Sequence, residues 1–327
     1  MRNGDPTMQL TRGRVALKSI LTSVPTVTWI LAAMVLFFAR TEPTFLTLSN
    51  AANLLRQGAV LLILCMGVIV VKIAGGIELS VGGVLTLAGM LMAWSLVYWH
   101  VPLFVSVLIA LAVGTICGVL NGIFVTRMQV PSFIATLGMQ GMSIGLSLAM
   151  NKGSVVWGMP KTADWFGNGI LLGLPVPMLL FLLTFVLTFV LLGWTPFGVY
   201  VYALGGNEAA LKLAGRPSWW YRVLTFTYAG LMAGLAGVIM TSRTMAAQPT
   251  VGQGMEFEAF SAVVLGGSVV AGRGTAIGAL LGALFILILR NGLNVMGVAT
   301  YYQLAIIGVV LISAIVLSVL LDRRLHG

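Results

Sequence analysis

Long apolar runs recur along the whole sequence, and they constrain the fold more than any other feature. The runs at 54–71, 103–126 and 177–193 are close to or above the roughly 20 residues that an α-helix needs to cross the hydrocarbon core of a bilayer. Charged residues make up only 8% of the chain and hydrophobic residues 59%, which excludes a soluble globular protein of this length. The sequence therefore predicts an all-α polytopic membrane protein.

The apolar runs divide the chain into about ten membrane segments. They are 25–39, 54–71, 81–99, 103–126, 132–150, 177–193, 223–240, 259–271, 275–289 and 304–321. With ten crossings and a cytoplasmic N-terminus, 12 of the 18 Lys and Arg residues face the cytoplasm, as the positive-inside rule requires. The eighth segment is shorter than the ~17 residues that usually span. It either crosses or re-enters, and the charge count favours a crossing.

This topology divides the chain into regions and contains a weak repeat. A transmembrane domain, 25–321, lies between cytoplasmic tails at 1–24 and 322–327, with an outer loop at 151–175 and a cytoplasmic segment at 194–222. An inverted five-plus-five repeat, common in transporters, is suggested by the similar ends of two spans. The matching residues are Gly114, Gly118 and Arg127 in one span and Gly278, Gly282 and Arg290 in the other. Chance similarity between glycine-rich spans is an equal alternative.

The most polar helix-capable stretch is GGNEAALKLAGRPSWW, which starts at residue 205. Asn207 is a favourable N-cap, and Glu208 in the first turn precedes Lys212 by four residues. Gly215 can end the helix in a left-handed conformation. A short apolar strip is formed by Ala210, Leu211 and Ala214. The helix is too short to span a bilayer or to persist alone in water, so we predict that it lies against another protein.

The stretch GGIELSVGG at 75–83 is a candidate pathway element or helix break. Its glycines free the backbone, which lipid tolerates only where protein or water covers it. The candidate residues are Gly75, Gly76, Glu78 and Ser80. Glu78 is an ionisable residue at membrane depth and is therefore a candidate functional site. The alternative is that Glu78 caps the next span at the cytoplasmic mouth.

Further pathway candidates are acidic, glycine and amide residues elsewhere in the spans. Glu256 and Glu258 open the eighth segment, where they either line the outer mouth or stand as helix-start acids in solvent. Gly266 and Gly267 form another glycine-rich break. The amide side chains are Asn121, Gln140, Asn291 and Asn294. Each is expected to hydrogen-bond between helices in preference to binding a substrate.

The sequence lacks the residues that several classes of function require. Cys65 and Cys117 lie in apolar runs, and His100 and His326 stand alone, so neither a disulfide nor a metal site is predicted. The net charge of +10 comes without a basic stripe interleaved with aromatics, so no nucleic-acid partner is predicted. A GxxxxGK phosphate loop and a nucleophile–base pair are both missing. The chain is therefore predicted to be a conduit, not an enzyme, with no cofactor of its own.

Six stretches carry a resemblance to a known family. They are GGIELSVGG (75–83), LNGIFVTRMQVPSFIATLG (120–138), YALGGNEAALKLAG (202–215), GLMAGLAGVIMTSR (230–243), AVVLGGSVVAGRGTAIGALLGAL (262–284) and RNGLNVMGV (290–298). In order and spacing they resemble the permease subunits of bacterial sugar ABC importers, of the ribose, xylose and autoinducer-2 type.

The resemblance implies a multi-pass protein of the bacterial inner membrane that provides the route for a monosaccharide or related polyol. The implied partners, besides lipid, are a second permease, a cytoplasmic ATPase that binds ATP and Mg²⁺, and a periplasmic sugar-binding protein. The implied ATPase contacts are Gly206, Asn207, Glu208, Ala210, Leu211, Lys212 and Gly215. The sequence departs from the family in two places: Glu78 stands where Asp is usual, and GWTPFGV at 193–199 is less basic than usual. The second departure leaves the details of the ATPase contact open.

Two other functions are consistent with the residues. An ion-driven secondary transporter would use Glu78 as its proton or sodium site. A permease for branched-chain amino acids, from the same superfamily, would differ in the ligand that its binding protein holds.

Overall fold

The computed structural model describes residues 26–268, 270–299, 301–303, 305–310, 312–313 and 316. Their helices are α1 Thr26–Thr41, α2 Leu48–Ile73, α3 Val81–Val97, α4 Leu103–Thr126, α5 Ser132–Met150, α6 Trp165–Asn168, α7 Val176–Trp194, α8 Pro196–Leu213, α9 Ser218–Thr244, α10 Met255–Leu265 and α11 Ala276–Val295. The loop before α7 also contains a 3₁₀ turn, Lys161–Asp164, and the antiparallel strands β1 Ile170–Leu171 and β2 Leu174–Pro175. Residues 301–303 and 305–310 are helical as well. The predicted tails, 1–24 and 322–327, and part of the predicted segment 304–321 lie outside the described residues.

The predicted all-α membrane class is confirmed, but the count of ten crossings is not. Among the described residues, six helices are long and apolar enough to cross a membrane: α2, α4, α5, α7, α9 and α11. Helices α1 and α3 are apolar but shorter. Helix α10, at the predicted eighth segment, has only 11 residues and a length of about 16 Å.

Helix α9 is the centre of the bundle and packs against α2, α3 and α4. Its approach to α4 depends on glycine, because a side chain on Gly114 would collide with the backbone of Gly230, and one on Gly118 with the carbonyl of Phe226. Small residues allow two helices to pack backbone to backbone in lipid, where the lipid tails are as apolar as leucine.

The two glycine pairs of the suggested repeat make different contacts. Gly114 and Gly118 face the long helix α9, whereas Gly278 and Gly282 of α11 face the short helix α10, at Gly266 and Ala262 respectively. Similar glycine spacing thus serves two different packing arrangements, and the inverted repeat is not confirmed.

Helix α2 connects the two ends of the bundle over 26 residues, or about 39 Å. In its first turn, Asn50 exchanges hydrogen bonds of 2.9 Å with Asn291 of α11. At its last residue, the Ile73 carbonyl accepts a hydrogen bond of 2.8 Å from the backbone N–H of Gly272. These two contacts define the amide end and the glycine end of the bundle.

Candidate functional site

The segment after Gly205 has the local structure that its sequence predicts. Asn207 leaves the helical conformation, with φ −156° and ψ 90°, and its side-chain oxygen accepts a hydrogen bond of 3.0 Å from the N–H of Ala210. Gly215 adopts φ +71°, the left-handed value that ends a helix. The predicted start is incomplete, because α8 already begins at Pro196 and Asn207 is a kink within it.

Glu208 is held by three side chains of this chain. Its carboxylate lies 3.0 Å from Lys212, as predicted, and also 2.7 Å from Arg222, while the Ser218 hydroxyl donates to it at 3.1 Å. Burial alone would raise the pKa of the Glu208 carboxyl, but the Lys212 hydrogen bond, the Arg222 charge and Ser218 together lower that pKa below its ordinary value. The carboxylate therefore clamps the short helix onto the first turns of α9.

The apolar strip predicted on this helix does not lie on one exposed face. Leu211 is only 5% exposed and belongs to the core of this chain, so Leu211 itself does not face another protein. The reason is the kink at Asn207, which turns Leu211 towards the bundle. That the helix lies against another protein through its remaining surface stays a prediction. The exposed apolar residues are Ala209, Ala210, Ala214 and Leu213, the last 90% exposed. Leu213 was not among the predicted residues of this strip.

The base of the short helix meets both glycine-rich breaks at the glycine end. Gly205 lies so close to the Ile73 carbonyl and the Gly272 nitrogen that a side chain there would collide with both. A side chain on Gly272 would likewise reach the backbone of Gly206, and Gly75, with φ +83°, lies beside Gly205 and Ala271. We call Gly75, Gly205 and Gly272 the glycine junction.

From the glycine junction the chain passes through residues 76–80 into the buried start of α3. Glu78 is only 2% exposed, and its carboxylate accepts hydrogen bonds from the N–H and the hydroxyl of Ser80, at 2.7 and 2.6 Å. The Ser80 hydroxyl accepts in turn from Asn121 of α4 at 2.9 Å. Glu78 therefore orders the first turn of α3, but from an enclosed position and not at a solvent-facing mouth.

The irregular stretch immediately before α10, which includes Gly252, contacts the same part of α3. Glu256 is 5% exposed, and its carboxylate and the carbonyl of Gly252 fill the space where a side chain on Gly82 would stand. The N–H of Gly252 donates to the Thr86 hydroxyl at 3.0 Å, and Gln140 of α5 accepts from the N–H of Gly83 at 2.5 Å. Both short helices, α3 and α10, thus begin inside the protein and against each other.

The remaining candidates lie towards the ends of α10 and α11. Glu258 forms an ion pair with Arg290 and is mostly buried, so the interpretation of Glu256 and Glu258 as solvent-exposed helix-start acids is wrong. Asn294 accepts a hydrogen bond of 2.8 Å from Gln303. Including the Asn50–Asn291 contact, each of the predicted amide side chains therefore contacts another part of the chain, as expected. Gly266 packs on Gly278, and Gly267 has φ +96°.

The structure brings three regions into one connected set, which was not predicted. They are residues 205–215, which the resemblance implies as the coupling segment, residues 76–80 around Glu78, and residues 252–256 around Glu256. The structure also adds residues that were not predicted: Ser218, Arg222, Gly252 and Thr86. Arg222 follows Glu208 by 14 residues across a proline turn, so only a predicted helical hairpin could have paired them. Gly252 had one sequence signal, its position in a glycine-containing link before two glutamates.

A family model and individual relatives of known name both identify the chain as similar to transport permeases. Residues 50–315 match the family model described as "Branched-chain amino acid transport system / permease component". The chain is 40% identical to the ribose import permease protein RbsC of Escherichia coli strain K12 over 90% of its own length and 92% of that protein. It is 40% identical to RbsC of Bacillus subtilis strain 168, over 89% and 90%. The D-allose transport system permease protein AlsC of Escherichia coli strain K12 is 32% identical, over 90% and 91%.

No solved structure matches the chain. The family model nevertheless covers the glycine junction, residues 76–83, residues 252–256 and residues 205–215. The relatives align over about nine-tenths of the chain. This chain therefore belongs to the family of transport-system permease components that includes the ribose and D-allose import permeases.

Proposed function

We propose that this chain is the permease subunit of an ATP-binding-cassette importer and forms the membrane route for a monosaccharide or related small polyol. The named functions of its relatives support this proposal, since ribose import permeases are 40% identical along nine-tenths of the chain. The single structural observation that carries it is the glycine junction, where the base of an exposed helix contacts both glycine-rich breaks.

The proposed mechanism uses the kinked part of α8 as a lever. A cytoplasmic ATPase, which binds the ATP and Mg²⁺, docks on the exposed surface of residues 206–215, including Leu213. Its movement shifts Gly205 against Ile73 and Gly272. Because the backbone contacts there leave no space, the shift passes directly to the start of α3 and to the α10–α11 loop. The start of α3 in turn contacts Glu256 at Gly82, and α10 connects that contact to the α10–α11 loop. The route would open at this contact.

The proposal includes an assembly and a topology. The permease pairs with a second copy or a related permease, and a periplasmic binding protein delivers the sugar at the amide end. In the bacterial inner membrane, ten crossings, with segment 259–271 among them, keep the tails 1–24 and 322–327 cytoplasmic. The positive-inside count supports this orientation, and an inverted repeat would be consistent with it.

The ion-driven alternative is less well supported, because Glu78 is enclosed and satisfied by Ser80. The branched-chain amino acid alternative has the wording of the family description in its favour. The relatives named above, however, are sugar permeases by name. Uptake measured with D-ribose, D-allose and L-leucine, each with its own binding protein, separates these two substrate classes.

The lever is tested with two exposed leucines. Leu213 is 90% exposed on the coupling segment, and Leu172 is 89% exposed in the loop before α7. Leu213→Ser is expected to reduce co-purification of the ATPase and ATP-driven sugar uptake severalfold, whereas Leu172→Ser leaves both unchanged. Equal ATPase binding and uptake in the two variants would refute the docking role.

A further inference from the structure

A polar cavity of about 260 Å³ lies between α2, α9, α10 and α11, towards the amide end. Its polar lining consists of Gln57, Arg243, Gln253, Glu258, Arg290, Asn291 and Asn294. Along α2, Gln57 stands 16 residues before Ile73, so the cavity is about 24 Å from the glycine junction. We call it the Arg243 cavity.

The charged groups of this cavity do not fully satisfy one another. Arg290 is paired with Glu258, but the second Glu258 oxygen has no hydrogen-bond partner among the described residues. The Arg243 guanidinium donates one hydrogen bond, to the Met240 sulfur at 3.3 Å, and its Nε has no partner within the part of the chain that the structure describes. Buried polar groups without partners cost free energy, so a hydroxyl-bearing solute that supplied partners would be stabilised here.

The mixture of donors and acceptors fits a neutral polyol better than an ion. A guanidinium offers parallel N–H donors and a carboxylate offers two acceptors, while the amides of Gln57 and Gln253 offer both. Neighbouring hydroxyl groups on a sugar ring can donate and accept at once, and therefore match such a set. A cation would be repelled by Arg243, which has no acidic partner among the described residues. An anion drawn to Arg243 would meet the unpaired Glu258 oxygen in the same cavity. Apolar side chains, including Leu54 and Leu287, complete the walls.

We infer that the Arg243 cavity is a monosaccharide site on the proposed transport route, an assignment that rests on the proposed function. The site is coupled to the rest of the route through α10. That helix supplies Glu258 to the cavity and Glu256 to the contact with Gly82. A movement of α10 would therefore change both the cavity and the contact between Glu256 and Gly82.

Transport measurements on the assembled importer test the site. Proteoliposomes containing permease, ATPase and saturating sugar-loaded binding protein are assayed for D-ribose and D-allose uptake and for ATP hydrolysis. Arg243→Gln removes charged hydrogen bonds and is expected to lower sugar taken up per ATP about tenfold or more, and Gln253→Ala about two- to tenfold. The control Gln248→Ala, an exposed residue of the same link, leaves that ratio unchanged.

Two results in this assay would overturn the inference. One is an unchanged ratio of sugar to ATP in both cavity variants. The other is a higher half-saturating concentration of binding protein with an unchanged maximal rate, which would make the cavity a protein-docking surface.

A labelling experiment decides the matter independently of transport. Cys65 and Cys117 are buried, so a maleimide is expected to label Gln253→Cys or Gln248→Cys selectively in the purified permease. High millimolar D-ribose or D-allose should slow labelling of Gln253→Cys severalfold and leave Gln248→Cys unaffected. Equal rates with and without sugar, or protection by L-leucine instead, would refute a sugar site. If the wild-type complex showed no ATP-driven uptake, the proposed function would fail, and this protection would still decide the inference.

Discussion

Gly205 lies directly against the carbonyl group of Ile73, with no space for a side chain between them. The contact joins the kinked helix α8 to the last residue of α2, which hydrogen-bonds Gly272 of the α10–α11 loop at 2.8 Å. A packed backbone contact transmits displacement because neither side can compress. This contact therefore links residues 205–215 to the stretch after α2 and to the α10–α11 loop.

Adding one methyl group to Gly205 should disturb this connection. In Gly205→Ala the new Cβ would collide with backbone atoms of Ile73 and Gly272, which cannot rotate away as a side chain could. We expect the free energy of unfolding to fall by about 1–3 kcal/mol, and binding-protein-stimulated ATP hydrolysis to fall severalfold in the assembled importer.

The neighbouring glycine provides the control for this change. Gly206 is exposed, and a side chain there meets no atom within 4 Å among the described residues. Gly206→Ala should therefore retain wild-type stability in the permease without its ATPase. Equal losses of stability in the two variants would show that loss of backbone flexibility, and not the contact with Ile73, destabilises Gly205→Ala.

The two cations around Glu208 should differ in importance. The Arg222 side chain is only 17% exposed and lies 2.7 Å from the carboxylate, whereas Lys212 is 63% exposed. Arg222→Met is expected to cost about 1.5–3 kcal/mol of stability, because a mostly buried charged hydrogen bond is lost. Lys212→Met should cost less than about 0.5 kcal/mol, as for exposed pairs. Chemical denaturation in detergent measures both, and a larger loss from Lys212→Met would contradict the structure.

The Glu208 clamp should also make stability depend on pH. Because folding lowers the pKa of this carboxyl, its stabilising contribution is present above the unfolded-state value of about 4.3 and is lost as the pH falls through the lower folded-state value. Thermal melting should therefore show Glu208→Gln below wild type at pH 7. The gap should close on acidification below about pH 4. A gap that stayed constant down to pH 3 would mean that the carboxylate charge is not what holds the helix.

Most of the coupling segment could be predicted from its sequence, because its determinants are local. The N-cap at Asn207, the Glu208–Lys212 pair and the left-handed Gly215 all follow from residues within nine positions. The orientation of Leu211 could not be predicted, since it depends on the angle that the kink makes with the bundle. That angle depends on contacts with residues more distant in the sequence, such as those of Glu208 with Ser218 and Arg222.

For the pathway candidates, too, local features could be predicted from the sequence but contacts between distant residues could not. The glycines at Gly75 and Gly266 mark breaks because glycine spacing is visible in one sequence. That the 252–256 link would pack onto Gly82 was not visible, as 170 residues separate the two. Glu256 therefore resembled an ordinary solvent-exposed acid at a helix start, although its burial depends wholly on this distant contact.

Two leucines in one turn should separate folding from docking. Leu211 is 5% exposed and packed in the core, whereas Leu213 is 90% exposed. Leu211→Ala should cost about 2–5 kcal/mol of permease stability, as other buried leucines do, while Leu213→Ala leaves the stability of the isolated permease within about 0.5 kcal/mol. Denaturation of the permease without its ATPase distinguishes the two, and equal losses would contradict the observed orientation of the helix.

The last prediction concerns the contact between the start of α3, at Gly82, and the start of α10, at Gly252 and Glu256. In Gly82→Ala the added methyl group would meet the Glu256 carboxylate, which can move, and the Gly252 carbonyl, which cannot. The expected loss is about 1–3 kcal/mol, and α10 should be displaced together with Glu256. Gly138→Ala is the matched control: Gly138 is also a helical glycine, but it is exposed on α5, and a side chain there meets nothing within 4 Å in the described structure.

Hydrogen exchange on the two variants measures the effect where it should occur. Gly82→Ala should increase exchange at the backbone amides of residues 252–258, which are distant in sequence but in contact with α3, whereas Gly138→Ala should not. If both variants left that segment protected, α3 and α10 would not be mechanically joined at Glu256. A lever at the glycine junction could then move the start of α3 without moving the start of α10.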